Sequence, residues 1–84
     1  MSADLLDKAA AVLEERGQAY GAADAAFAAI AARWTLTLGR PVSAAQVVLC
    51  MIDLKLVRLS HDPGHEDSLI DVIGYAALFP EVRR

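Results

Sequence analysis

Ser43-Ala44-Ala45-Gln46-Val47-Val48-Leu49-Cys50-Met51-Ile52-Asp53-Leu54-Lys55-Leu56-Val57-Arg58-Leu59 is the stretch whose reading decides the fold. Its first four residues spell a capping box, in which the serine oxygen meets the backbone at Gln46 while the glutamine side chain reaches back. That is a helix start. The run behind it is long for a strand and contains no turn residues, so it reads as a helix to about residue 60. It is apolar nearly all round, which places it centrally in a bundle or in a subunit interface.

Reading outward from this segment gives three more helices. Upstream, Gly39 and Pro41 close a helix over about 22–38, where Phe27, Ile30, Ala31, Trp34 and Leu38 recur at spacings of three and four. Thr35 and Thr37, both β-branched, weaken its last turn. Further upstream, Leu5, Leu6, Ala9, Val12 and Leu13 form one stripe over about 3–16, with Asp4 and Asp7 near the positive end and Gly17 as the expected left-handed cap. Downstream, His61-Asp62-Pro63-Gly64 breaks the chain, and Asp62 with Pro63 behind it has the pattern of an N-cap. The fourth helix covers about 65–79, where Pro80 is expected to stop it. The expectation is an all-α protein, a compact bundle of four helices at about 3–16, 22–38, 44–60 and 65–79, in one domain over 1–84.

Hydrophobic residues make up 56% of the sequence and charged residues 23%. An ordinary soluble domain holds roughly 45–50% apolar residues, so a bundle this small leaves apolar surface over and self-association, with a dimer favoured, is expected. The net charge of −3, with eight scattered basic residues, argues against direct nucleic-acid binding. The sole cysteine, Cys50, excludes an internal disulfide and suits a reducing cytoplasm. Its apolar neighbours predict a buried thiol. Met1-Ser2-Ala3-Asp4 lacks the basic and apolar regions of a signal peptide, and the greasy run from Val47 to Leu59 is interrupted by Asp53, Lys55 and Arg58 and too short to cross a bilayer.

The polar residues of the last two helices gather by geometry. Lys55 and Arg58 lie about 60° apart on one helix, and Asp67, Asp71, Gly74 and Tyr75 share a side of the next. A tight turn makes these helices antiparallel neighbours. Two cations can then face two carboxylates, as interhelical ion pairs, as an anion site with Mg²⁺ on Asp67 and Asp71, or as a protein-binding surface. Gly74 would allow close helix approach in each case. His61 and His65 are separated by Pro63 and Gly64, so a solvated loop with one histidine capping backbone groups fits them better than metal ligation. Trp34 lies on the Phe27–Ile30 stripe and reads as core, and Tyr20 stands at the entrance to the second helix. No nucleophile–histidine pair and no glycine-rich phosphate loop are present, so no catalytic residue and no resident metal or cofactor are assigned.

The succession Arg16-Gly17-Gln18-Ala19-Tyr20-Gly21, Trp34, Leu54-Lys55-Leu56-Val57-Arg58-Leu59 and His65-Glu66-Asp67-Ser68-Leu69-Ile70-Asp71-Val72-Ile73-Gly74-Tyr75-Ala76-Ala77-Leu78 resembles a family of small phage and prophage proteins labelled a domain of unknown function. The likeness runs from about Leu5 to Leu78. That family is loosely similar to the helical nucleoside-triphosphate pyrophosphohydrolases of the MazG type, which hold Mg²⁺ with a Glu-Glu-x-x-Glu motif and a later Glu-x-x-Asp. Here Glu14-Glu15 is followed by Gln18, and the later motif is reduced to Asp67 and Asp71. The resemblance therefore implies a shared fold with an eroded or rebuilt metal site. It implies a phage accessory protein acting by non-catalytic binding to a host protein complex, such as a CRISPR effector, in the anti-CRISPR manner. The alternative is a nucleotide-binding or Mg²⁺-dependent pyrophosphohydrolase-like protein of phage metabolism. Under either reading the expected ligand or partner contacts are Tyr20, Lys55, Arg58, His65, Asp67, Asp71 and Tyr75.

Overall fold

The computed structural model describes residues 2–83, and the side chains of Ser2 and Tyr20 lie outside that description. Four α-helices account for nearly all of it: α1 (Ser2–Tyr20), α2 (Ala23–Leu38), α3 (Ala44–His61) and α4 (Glu66–Val82). Among the described residues there is no strand. The chain is an all-α four-helix bundle, and among the described residues no helix is long and apolar enough to cross a membrane.

The capping box forms in full. Gln46 N–H donates to Ser43 Oγ at 3.1 Å, and Ser43 N–H donates to Gln46 Oε1 at 2.9 Å. Upstream, Gly39 ends α2 in the left-handed conformation at φ 70°, its N–H donating to the Thr35 carbonyl. Thr35 strengthens this corner. Its hydroxyl donates to the Ala31 carbonyl at 2.8 Å and accepts from Val42 N–H at 3.0 Å, which pins the connection to α3.

Three helix ends depart from the sequence expectation. α1 runs a turn past Gly17, and the left-handed cap is Gly21 at φ 80°, whose N–H reaches the Gly17 carbonyl at 2.9 Å. Gly17 is tolerated inside the helix because glycine weakens helical structure without forbidding it. Asp62 caps the end of α3 rather than the start of α4: its N–H donates to the Arg58 carbonyl at 2.9 Å, and its carboxylate accepts from Gly64 N–H at 3.2 Å. The N-cap of α4 is His65, whose Nδ1 accepts from Ser68 N–H at 3.2 Å and lies 2.7 Å from the Ser68 hydroxyl. This is the histidine cap that the sequence allows. α4 then passes through Pro80 to Val82. In a final turn the missing N–H of proline forfeits a single backbone bond, and its fixed φ suits the helix.

α3 and α4 form the central hairpin; α1 packs on α4, α2 packs mainly on α3, and α1 and α2 meet least. Among the described residues the buried apolar side chains are few: Ala9, Ala31, Val47, Val48, Ile70 and Val82, with buried Ser68 the one polar residue. Much apolar surface remains outside. Leu36 and Leu38 at the end of α2, and Leu49, Leu54, Leu56 and Val57 on α3, are exposed. Cys50 is exposed as well, contrary to expectation. α3 is apolar nearly all round, yet only the side towards α2 and α4 is covered, and Cys50 lies outside it. Trp34 is half-buried, so it borders the core rather than filling it.

Candidate functional site

Because α1 leans on α4 while α2 leans mainly on α3, the two outer helices leave a cleft of about 800 Å³ between them. Val12 and Leu13 of α1, Phe27 and Ile30 of α2, and Gly74 and Leu78 of α4 line it, with Met51 of α3 at its floor. Each lies on the inward stripe that its own helix period dictates. Phe27 and Tyr75 meet edge to face, with ring centroids 6.2 Å apart and planes at 75°. This aromatic pair joins the α2 and α4 walls. Gly74 faces α1, not α3. A Cβ there would lie 3.7 Å from Leu13 Cδ2, an ordinary contact, so the glycine holds the cleft open more than it permits a close crossing.

The polar corner of the cleft is built around Asp71. Lys55 of α3 reaches its Oδ2 at 3.0 Å, and Arg16 of α1 reaches its Oδ1 at 3.7 Å. The Lys55 and Asp71 side chains are only 16% and 15% exposed, so this pair is largely withdrawn from water, while Arg16 remains half open. One carboxylate thus links three helices. Arg16 and Asp71 line the cleft together with Tyr75 and Glu81.

The expected constellation comes together in part. Lys55 meets Asp71, and Tyr75 lines the cleft. Arg58 and Asp67 are exposed and join no ion pair among the described residues. The step of three from Lys55 carries Arg58 around the helix past the edge of the contact with α4. His65 is occupied as a helix cap. The Tyr20 side chain lies outside the described residues. Arg16 was the residue missed, since its partner lies on another helix and only the fold brings them together.

Among the described residues no three His, Cys, Asp or Glu side chains gather as a metal-holding group. Glu14, Glu15, Asp53 and Asp67 are all exposed, and Asp71 is held by its cations. A second ion cluster ties α1 to the start of α4: Lys8 hydrogen-bonds Glu66 and pairs with Asp4 at 3.4 Å. The bonds to Glu66 and then Asp4 raise the Lys8 ammonium above its ordinary value of 10.5.

A family model described as Domain of unknown function (DUF6378) matches residues 4–83. The chain belongs to this family. The match takes in all four helices, so the cleft and the Arg16–Asp71–Lys55 corner lie wholly within the DUF6378 domain. No curated protein and no solved structure matches the chain.

Proposed function

We propose that this DUF6378 chain is a non-catalytic binding protein of phage or prophage origin that receives apolar side chains of a host protein in the α1–α2 cleft. The observation that carries the reading is the character of the cleft, an apolar channel open between two helices that barely touch. Such a groove suits the apolar face of a partner helix, which docks by anchors at helical spacing. At its polar corner the two cations are engaged by Asp71, so little positive charge is free there to draw an anion. The target is a host defence assembly of the CRISPR effector kind, and the protein acts by occluding one of its surfaces in the bacterial cytoplasm. The test is affinity capture of the tagged protein from host lysate, read by mass spectrometry, alongside an Ile30→Glu variant. Ile30 lines the cleft yet is 37% exposed, so a charge there blocks the groove while leaving the fold. Stoichiometric recovery of an effector subunit, lost in Ile30→Glu, supports the proposal. Recovery of the bait alone, or capture indifferent to Ile30→Glu, overturns it.

A second reading, nucleotide binding, rests on Tyr75 and Arg16 lining the same cleft, an aromatic ring and a guanidinium that could hold a base and a phosphate. Calorimetric titration with nucleoside triphosphates and Mg²⁺ separates the two. Saturable binding that disappears in Arg16→Ala favours this second reading over the first.

A further inference from the structure

The exposed side of α3 has a pattern that the bundle leaves unexplained. At 100° per residue, Cys50, Leu54, Val57 and His61 fall within a stripe about 60° wide, stepping by four, three and four. All four are exposed. The preceding position in the same register, Val47, is fully buried, so the open stripe begins at Cys50. Lys55, committed to Asp71 of α4, points about 130° away from the centre of the stripe. The stripe is thus turned away from α4.

Asp53 and Arg58 border this stripe, each about 70° from its centre and on opposite sides. Both are exposed, and neither joins an ion pair among the described residues. In heptad terms Cys50 and Val57 occupy d, Leu54 and His61 occupy a, Asp53 is g and Arg58 is e. The two flanks of this helix carry opposite charge.

That arrangement selects its own complement. If a second copy of α3 lies parallel about a twofold along the helix, the Asp53 flank of one helix meets the Arg58 flank of the other, twice by symmetry. An antiparallel pair sets Asp53 beside Asp53 and Arg58 beside Arg58, which repels. The surface area points to a second copy independently. The chain exposes 5770 Å², whereas a folded monomer of 9.0 kDa shows about 4,900 Å² by mass scaling. The surplus of about 900 Å² compares with roughly 800 Å² covered on each partner in an interface of standard size. Part of that surplus lines the cleft; exposed leucines on α3 and at the end of α2 supply more.

We infer that the exposed face of α3 is a homodimer seam, on which a second copy of this chain packs parallel through Cys50, Leu54, Val57 and His61 with Asp53–Arg58 pairs across the twofold. Met51, the α3 residue that lines the cleft, points about 90° from the centre of the seam, so both clefts stay open in the dimer. Its test is therefore independent of what the cleft binds.

The full chain is examined by sedimentation equilibrium at micromolar concentrations and by reaction with a short bis-maleimide. The expected particle has twice the 9.0 kDa chain mass. Cys50 is the only cysteine and sits opposite its own copy, so a single crosslinked dimer forms, and Cys50→Ser abolishes it. Asp53→Arg and Arg58→Asp each weaken association roughly tenfold, by turning two attractive pairs into repulsions. The double variant Asp53→Arg/Arg58→Asp restores it, and circular dichroism confirms the helical fold of each. A monomer throughout the concentration range overturns the inference. So does a dimer that Cys50 fails to crosslink, or one insensitive to both single charge reversals.

Discussion

Asp71 ties three helices together and lines the cleft with the same side chain. Its carboxylate is held by Lys55 at 3.0 Å and approached by Arg16 at 3.7 Å, in a setting only 15% open to solvent. Removing one partner of a largely buried pair strands the other, whereas replacing both with apolar groups of similar size is often neutral. Asp71→Asn is therefore expected to lower stability by about 1–3 kcal/mol, and Lys55→Met/Asp71→Leu to recover most of that in urea denaturation. Ser43→Ala should lower stability by about 1 kcal/mol through loss of the capping box, seen as a fall of roughly 4–8 °C in Tm. Lys8 adds an alkaline signature. Its raised pKa means the tie to Glu66 and Asp4 is fully present below 10.5 and fades as pH rises through the higher folded value. Lys8→Met should flatten stability against pH in that alkaline range. The Ser43–Gln46 cap was legible because its partners are three residues apart. Arg16 and Asp71 are not close in sequence, and no local pattern announces their meeting.

At the level of the helix, the two glycines near the end of α1 make a paired prediction of opposite sign. Gly17 sits inside the helix with open space where a Cβ would point, while Gly21 holds φ 80°. Gly17→Ala should stabilise by about 0.5–1 kcal/mol. Gly21→Ala should destabilise by about 1–2 kcal/mol, since a left-handed residue with a Cβ is strained. Thermal unfolding of the two variants side by side checks both. The sequence reading stopped α1 at the first of two glycines four residues apart, and the cap is the second. Gln18, Ala19 and Tyr20 accept helical geometry, so α1 continues to the second. Pro80 gives up one ladder bond to the carbonyl four residues back, yet its fixed φ is helical and α4 continues only two residues beyond it, so the loss is confined to the helix end. The helical identity of all four segments was plain because their periods were long and consistent. Which side of α3 would be covered was not, since a helix apolar nearly all round carries no mark of its inward face.

For the whole molecule, the shortage of core is the governing fact. Among the described residues only six apolar side chains are buried while leucines lie open on α2 and α3, and the composition foretold the surplus without its location. If the second copy covers α3, stability becomes dependent on concentration. Tm should rise as the protein is concentrated from about 1 to 100 μM, and Asp53→Arg should lower Tm at each concentration in that range. The uneven contacts of the bundle have another consequence. α1 is fastened along α4, through the Lys8–Glu66 tie and the Arg16–Asp71 corner, and scarcely at all to α2. A segment with one packed flank opens at lower free energy than the hairpin it leans on. The amide hydrogens of α1 should thus exchange with deuterium well before those of α3 and α4. Whatever fills the cleft must bridge α1 to α2 and hold that segment shut, so slowed exchange in α1 becomes a direct gauge of occupancy, readable before the occupant has been identified.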